Sequence, residues 1–594
     1  MKQYMNKALK MVCFAALAAS FAACSDFFEQ ESDHVIYADH NHLNNATDTI
    51  YSVTGIMNKL QAIGDRTILL GELRGDLVDV SSYASSDLRD VALFNIGDDN
   101  EYNNPTDYYA IINNCNYFIA YADTALKNNR NEYIFRKEYA AVKAYRAWTY
   151  LQLALNYGSV PFVTEPILSK AASEADYPKY NIEQICNYFI SDLAPYATVE
   201  YPSYGNIRSH DSRFFYFPIY ILLGELNLWA GNYKEAALNY YKYISTRNGT
   251  NSSYPISLSQ RVRFTNNKWM RPSGMTTVYE DYTAAAELIT YIPGDSIPSE
   301  GNYSQLRNIF CSTTDNNYEA SVLASQALID LSASQNYCTL NNDAVVYAPK
   351  GNTFENYLDG DLRLYGTYEV SKNRTTASGA TVDMISNNKY RFGGSPNVHI
   401  YRRALVYLHM AEALNRAGYP RFAFEILKNG VNNQQIEKNV IPYYQEDSVW
   451  IRQFDFPNTS YEIVVPSVYD SQGSATYNTM GIHSRGSGWA SLDTLYVMPD
   501  DSTLTGSARL DYQIEAVEDL ILDEDALEMS FEGYRFYDLM RVALRRGDPS
   551  YLANKIYARR GADNEATMRS LITVDLTDTR NWYMNWNDKI GLGY

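Results

Sequence analysis

Residues 214–230 read FFYFPIYILLGELNLWA, Gly231-Asn232 interrupt the run, and residues 233–244 read YKEAALNYYKYI. Two apolar-faced stretches of helical length, joined by so short a break, bury their faces against each other and against a further layer. With small residues at the contact, this is the antiparallel pair of a tetratricopeptide-type repeat. A second copy stands near the other end. Residues 399–417 read HIYRRALVYLHMAEALNRA, Gly418 breaks the run, and residues 420–433 read PRFAFEILKNGVNN. Pro420 suits the first turn of a helix, where its missing N–H is no loss. Ala411, Ala413 and Ala423 supply the small contacts.

Other helical text surrounds the two pairs. Periodicity predicts helices over 105–126, 132–157 and 181–196, and a last strong helix over 518–546. In the second of these, Ala141, Ala144, Trp148, Leu151 and Leu155 recur in steps of 3 and 4. Residues 246–315, 337–397 and 436–515 are rich in Asn, Ser, Thr, Gly and Tyr and read as long loops and short strands. The fold class is therefore mainly α: a tetratricopeptide-like helical-repeat scaffold with long loop-rich insertions.

The N-terminus carries an address. Lys2, Lys7 and Lys10 precede an apolar run from Met11 to Ala23 that ends in small residues. That is a secretory signal, too short for a bilayer span of roughly 20 residues. Phe21-Ala22-Ala23-Cys24 matches a bacterial lipobox, which makes Cys24 the lipidation site and the mature protein membrane-anchored from outside the cytoplasm. Residues 24–45 then form the lipidated tether, and His34, His40 and His42 within it read as scattered rather than as a metal site.

Net charge is -19, which excludes nucleic acid as a partner, because that needs a basic footprint. Cys115, Cys186, Cys311 and Cys338 have no CxxC spacing for zinc or redox work. They are either buried thiols or include one disulfide, with Cys311–Cys338 nearest in sequence. The 54 tyrosines offer flat apolar faces with a hydroxyl at the tip, suited to gripping sugars or peptides and to the wet seams of helical repeats.

Three stretches are more specific than generic helices: Ala144 to Leu151 with Asn156-Tyr157-Gly158-Ser159-Val160-Pro161, the pair at 399–433 with Ala411-Glu412-Ala413-Leu414-Asn415, and Leu527 to Arg541 (LEMSFEGYRFYDLMR). With the lipobox, in this order and over nearly the whole chain, they resemble the SusD/RagB family of nutrient-binding outer-membrane lipoproteins of Bacteroidetes. The resemblance divides the chain into a signal (1–23), a tether (24–45), an N-terminal SusD-like part (46–245), an insertion (246–397) and a C-terminal RagB/SusD-like part (398–594). It implies a cell-surface, lipid-anchored protein. Such a protein captures oligosaccharides, or in some members peptides, and delivers them to a SusC-like TonB-dependent transporter. Asp26, Glu29 and Glu31 resemble the acidic surface-export signal of such lipoproteins. One departure is Glu524-Asp525, where the family usually has an acidic-basic pair.

The family implies no cofactor and no catalysis, and its ligand residues follow no fixed motif. Members draw them from an early loop and from the insertion. In this chain those stretches offer Arg74, Asp76, Tyr83 and Asn100, and then Trp269, Tyr279, Tyr282 and Tyr291, as aromatic faces and polar groups for a sugar ring. The rival reading of Arg74 and Asp76 is a loop-stabilising ion pair. Glu528, Glu532, Arg535, Asp538 and Arg541 stand at i,i+3 and i,i+4 spacing and read as residues that pair with one another across charge, the two glutamates as ion-pair partners rather than a catalytic pair. The clusters at Asp98 to Glu101 and Asp359 to Arg363 read as turns and not as metal sites. No Gly-x-Ser-x-Gly, His-Glu-x-x-His or phosphate-binding glycine loop occurs.

Overall fold

The computed structural model describes residues 43, 48–207, 210–246, 263–265, 268–270, 287–294, 304–312, 319–341, 344–350, 360–375, 379, 381–390, 396–456, 468–469, 475–476, 481–488, 490–586 and 590–592. Cys24 and the tether lie outside them. The scaffold is helical. Its principal helices are α1 (Asp48–Leu73), α2 (Ser86–Ala92), α3 (Pro105–Tyr121), α4 (Arg136–Tyr157), α5 (Ile182–Leu193), α6 (Ile219–Trp229), α7 (Tyr233–Thr246), α8 (Arg403–Arg416), α9 (Pro420–Lys428), α10 (Gly506–Met529), α11 (Arg535–Arg546) and α12 (Pro549–Tyr557). They pack in sequence as antiparallel neighbours, α6 on α7 and α8 on α9, with α7 against α8 joining the two repeat pairs. The expected small contact is real: a Cβ on Gly224 of α6 would fall 2.5 Å from the Tyr240 ring of α7.

The described strands pair only in twos. Those that matter are β1 (Val78–Val80), β2 (Arg263–Thr265), β3 (Lys268–Met270), β4 (Leu288–Ile292), β5 (Val322–Ala324) and β6 (Val398–Arg402). β1 pairs with β5, β2 with β3, and β4 with β6, all antiparallel. The first and last of these pairs tie the insertion to the helical body. Val160–Pro161 is extended, as the proline dictates, and pairs with Lys179–Tyr180.

Several boundaries differ from the sequence reading, each for a local reason. Residues 214–230 are not one helix. Ser212–Phe215 form a single 3-10 turn and α6 begins after Pro218, which lacks the N–H to continue a ladder. Residues 398–402 are strand β6, so α8 starts at Arg403. The stretch 518–546 is two helices, since Phe531 (φ 68°) and Gly533 (φ 89°) break it between α10 and α11. α10 also reaches back to Gly506, into text read as loop. α1 was not anticipated at all, although Val53, Ile56, Leu60 and Ile63 recur at steps of 3 and 4 and are all buried.

The core is rich in rings and in paired charge. Trp148 stacks on Phe217 with centroids 4.6 Å apart. Glu528 and Glu532 do form ion pairs, but with residues far away in sequence. Arg402 Nη1 meets Glu528 at 2.8 Å and its Nε meets Glu532 at 2.7 Å, while Lys389 Nζ meets Glu532 at 2.5 Å. Of the pairs expected within the motif, Asp538–Arg541 forms, at 2.7 Å. Asp361 caps the short helix Leu362–Thr367 and holds Arg363 at 2.7 Å, so that cluster is a cap. The four described cysteines are free and buried, and burial pushes the Cys311 thiol up to about 11.

Candidate functional site

α4 ends at Gly158, whose φ of 75° is left-handed and favours glycine. The same glycine leaves room for a ring: a Cβ there would lie 3.2 Å from Tyr583. Tyr583 belongs to a C-terminal segment, residues 579–586, that crosses the ends of several helices. Buried hydrogen bonds hold it in place. Trp582 is buried and its Nε1 donates to Leu576 O at 2.8 Å. Arg74 Nη1 donates to Trp582 O at 3.1 Å, the Met584 N–H to Asn156 O at 2.9 Å, and Asn103 Nδ2 to Asn585 O at 3.2 Å. Trp586 leans on Tyr109, with centroids 5.5 Å apart, and on Tyr157, at 5.9 Å.

Between this segment and the helix ends lies an open cavity of about 650 Å³. Its rings are Tyr157, Trp229, Tyr583 and Trp586, and its polar groups come from Ser159, Asn181, Glu183, Arg580 and Asn585. Asn181 is fixed because it caps α5: Oδ1 accepts the Gln184 N–H at 2.9 Å while Gln184 returns the bond at 3.0 Å. Arg580 is held by Asp578, with Nε 3.0 Å from Oδ1 and Nη2 2.5 Å from Oδ2, and its side chain stays 87% exposed. That contact holds the Asp578 carboxyl below its usual range. Flat apolar faces beside convergent amide, carboxylate and guanidinium groups are what a sugar ring requires. Among the described residues of the lining, Glu183 is the one carboxylate.

Of the ligand contacts expected from sequence, Arg74, Asp76, Tyr83, Asn100 and Tyr291 do not line this cavity. Arg74 and Asp76 are buried in the scaffold, a correction to their reading as ligand contacts. Nor do they pair with each other, because Asp76 holds Arg535 at 2.6 Å while Arg74 bonds to the C-terminal segment and to Asn156. Asn100 is likewise buried. Its Nδ2 donates to Asp87 O at 3.1 Å, and its Oδ1 accepts the Tyr102 N–H at 3.0 Å. Tyr291 sits in β4, only 2% exposed, edge-on to Phe215. Tyr83 stands in the loop after β1, 62% exposed. Trp269 lies in the β2–β3 hairpin opposite Phe264, and Tyr279 and Tyr282 lie outside the described residues. Sequence reading passed over the segment Asn581-Trp582-Tyr583-Met584-Asn585-Trp586, which puts three rings and two amides into six residues. That density was the available signal.

No family model and no curated protein matches the sequence. Solved structures do match. A SusD superfamily protein from Bacteroides vulgatus ATCC 8482 superposes with a TM-score of 0.56 at 15% identity, over 91% of this chain and 95% of that one. One from Bacteroides thetaiotaomicron VPI-5482 gives 0.54 at 15% identity, over 90% and 95%. A further Bacteroides vulgatus superfamily protein gives 0.51 at 14% identity, over 84% and 89%. The chain has the SusD-like fold, along nearly its full length. Among the described residues no helix is long and apolar enough to cross a membrane.

Proposed function

We propose that the protein is a non-catalytic, cell-surface glycan-binding lipoprotein. In this reading it is anchored to the outer membrane through Cys24, captures oligosaccharides and passes them to a SusC-like TonB-dependent transporter. The observation that carries the ligand class is the ring-walled cavity with its amide, carboxylate and guanidinium groups. The anchor rests on the lipobox, and the transporter on the family resemblance.

Affinity electrophoresis against amylopectin, xylan, pectic galactan and galactomannan tests the ligand class. Retardation by one of them is expected. Trp586→Ala should weaken it by about 1–3 kcal/mol, the worth of a stacking ring at a binding site. Retention of a peptide digest in place of any polysaccharide would move the reading to peptide capture. Release of reducing ends from a bound polymer would sink the non-catalytic reading. Cys24→Ala should abolish protease-accessible display on intact cells.

A further inference from the structure

α4, α5 and α6 lie side by side, α5 packing on both of the others, and their ends sort into two groups. The cavity described above takes the C-terminal end of α4 (Tyr157), the N-terminal end of α5 (Glu183) and the last residue of α6 (Trp229). A second cavity, of about 500 Å³, takes Lys137 at the start of α4, residues 197–201 beyond the end of α5, and Tyr220 in the first turn of α6. The two cavities thus cap opposite ends of one three-helix layer. At 1.5 Å per residue, the layer is about 18 Å deep along α5 and about 33 Å along α4.

The second cavity repeats the chemistry of the first. Its walls carry the rings of Tyr201, Tyr220 and Tyr243. Its rim carries charged groups held in place by partners. Lys137 Nζ meets Glu200 at 2.6 Å, and Arg213 lies along the Asp211 carboxylate with Nη2 2.5 Å from Oδ2. Glu200 (82%) and Arg213 (63%) remain largely in water. Their hydrogen-bonding edges are therefore open to hydroxyl groups without the cost of burying a charge.

We propose that this second cavity is a separate saccharide subsite, so that one molecule grips a long polysaccharide at two points a helix length apart. The proposal goes beyond the reading of the first cavity and shares its ligand class. A disaccharide is too short to touch both cavities and binds each independently. A chain long enough to reach from one to the other gains effective concentration at the second.

The test titrates whichever of amylopectin, xylan, pectic galactan or galactomannan retards the protein, together with the disaccharide of the same polymer, into wild type and variants by calorimetry. Tyr220→Ala and the exposed Arg213→Ala should each lower polymer affinity roughly tenfold. Both should halve the disaccharide stoichiometry from two to one, Arg213→Ala with unchanged melting temperature because its side chain is 63% exposed. Trp586→Ala should do the same from the other end, and the double variant should lose binding. A wild-type stoichiometry of one disaccharide, with polymer affinity unchanged in both Tyr220→Ala and Arg213→Ala, would overturn the second subsite and leave the first standing. Full binding by Trp586→Ala with loss in Tyr220→Ala would keep the second and remove the first. Retardation by none of the polymers overturns both.

Discussion

Two buried acids carry predictions at the scale of single residues. Glu72, at the end of α1, is wholly buried, and its Oε1 accepts the Gly533 N–H at 2.8 Å. Burial pushes its carboxyl up to about 7 from an ordinary 4.5. The folded chain therefore keeps a proton that the unfolded chain has released. Its contribution to stability is full below about pH 4.5 and is lost as pH rises toward about 7. At about 1.4 kcal/mol per pH unit that window is worth about 3 kcal/mol. Glu72→Gln keeps the acceptor and removes the titration, so urea unfolding at about pH 4.5 and about pH 8 should differ by about 3 kcal/mol less than in wild type. Equal pH slopes would place the proton elsewhere. Asp525 is the second case. Neither of its oxygens has a hydrogen-bond partner, and burial raises its carboxyl well above the usual range, with Asp538 adding to the effect. The neighbouring charges already balance. His409, Arg541 and Arg545 face Glu225, Asp538 and Glu412. The uncharged mimic Asp525→Asn should cost under about 1 kcal/mol, whereas Asp538→Asn breaks a buried pair and should cost about 3–5 kcal/mol. Matched thermal melts separate the two.

Between α10 and α11, one glycine decides whether the two elements can form. A Cβ on Gly533 would fall 2.7 Å from Thr67 O and 2.8 Å from Ile68 Cα, at a φ of 89°. Gly547, just after α11, is also left-handed (φ 62°) but has open space around it. Gly547→Ala should therefore cost about 1–2 kcal/mol, the left-handed penalty alone. Gly533→Ala adds a backbone collision with α1 and should exceed it by about 2 kcal/mol or more, read from paired denaturation curves. This junction also marks where sequence reading stops. The helix pairs at 214–244 and 399–433 were legible because small residues and 3–4 spacing are local facts. The break at 530–534 was not, because what forbids a continuous helix there is α1 lying against it from more than four hundred positions away. The cavity was hidden for the same reason. Its rings come from Tyr157, Trp229, Tyr583 and Trp586, which no window contains together. Arg74 and Asp76 looked like loop groups because their partners, Trp582 and Arg535, are equally distant in sequence.

Across the whole molecule, the early chain and the C-terminal segment hold each other in place, and Arg74 is the joint. Its Nε donates to Leu70 O at 2.9 Å, Nη1 to Trp582 O at 3.1 Å and Nη2 to Asn156 Oδ1 at 2.5 Å. Its guanidinium lies 4.2 Å from the Phe536 ring centroid. One buried cation thus bonds α1, the end of α4 and the wall of the cavity while stacking on α11. Replacing it with Met fills much of the volume but strands the Trp582 carbonyl and leaves Asn156 Oδ1 with the Tyr537 hydroxyl, 2.9 Å away, as its donor, which should cost about 2–4 kcal/mol. The loss should not be uniform. Amides of residues 579–586 should exchange hydrogen faster than in wild type, while those of α7, which Arg74 does not touch, keep their protection. Polysaccharide retardation should weaken as well, although Arg74 is buried beneath the cavity wall, because Tyr583 and Trp586 are aligned only while that segment is held down. If exchange rises evenly over the chain, Arg74 is an ordinary core residue. If it rises in 579–586 and binding stays at the wild-type level, the rings of that segment do not hold the glycan.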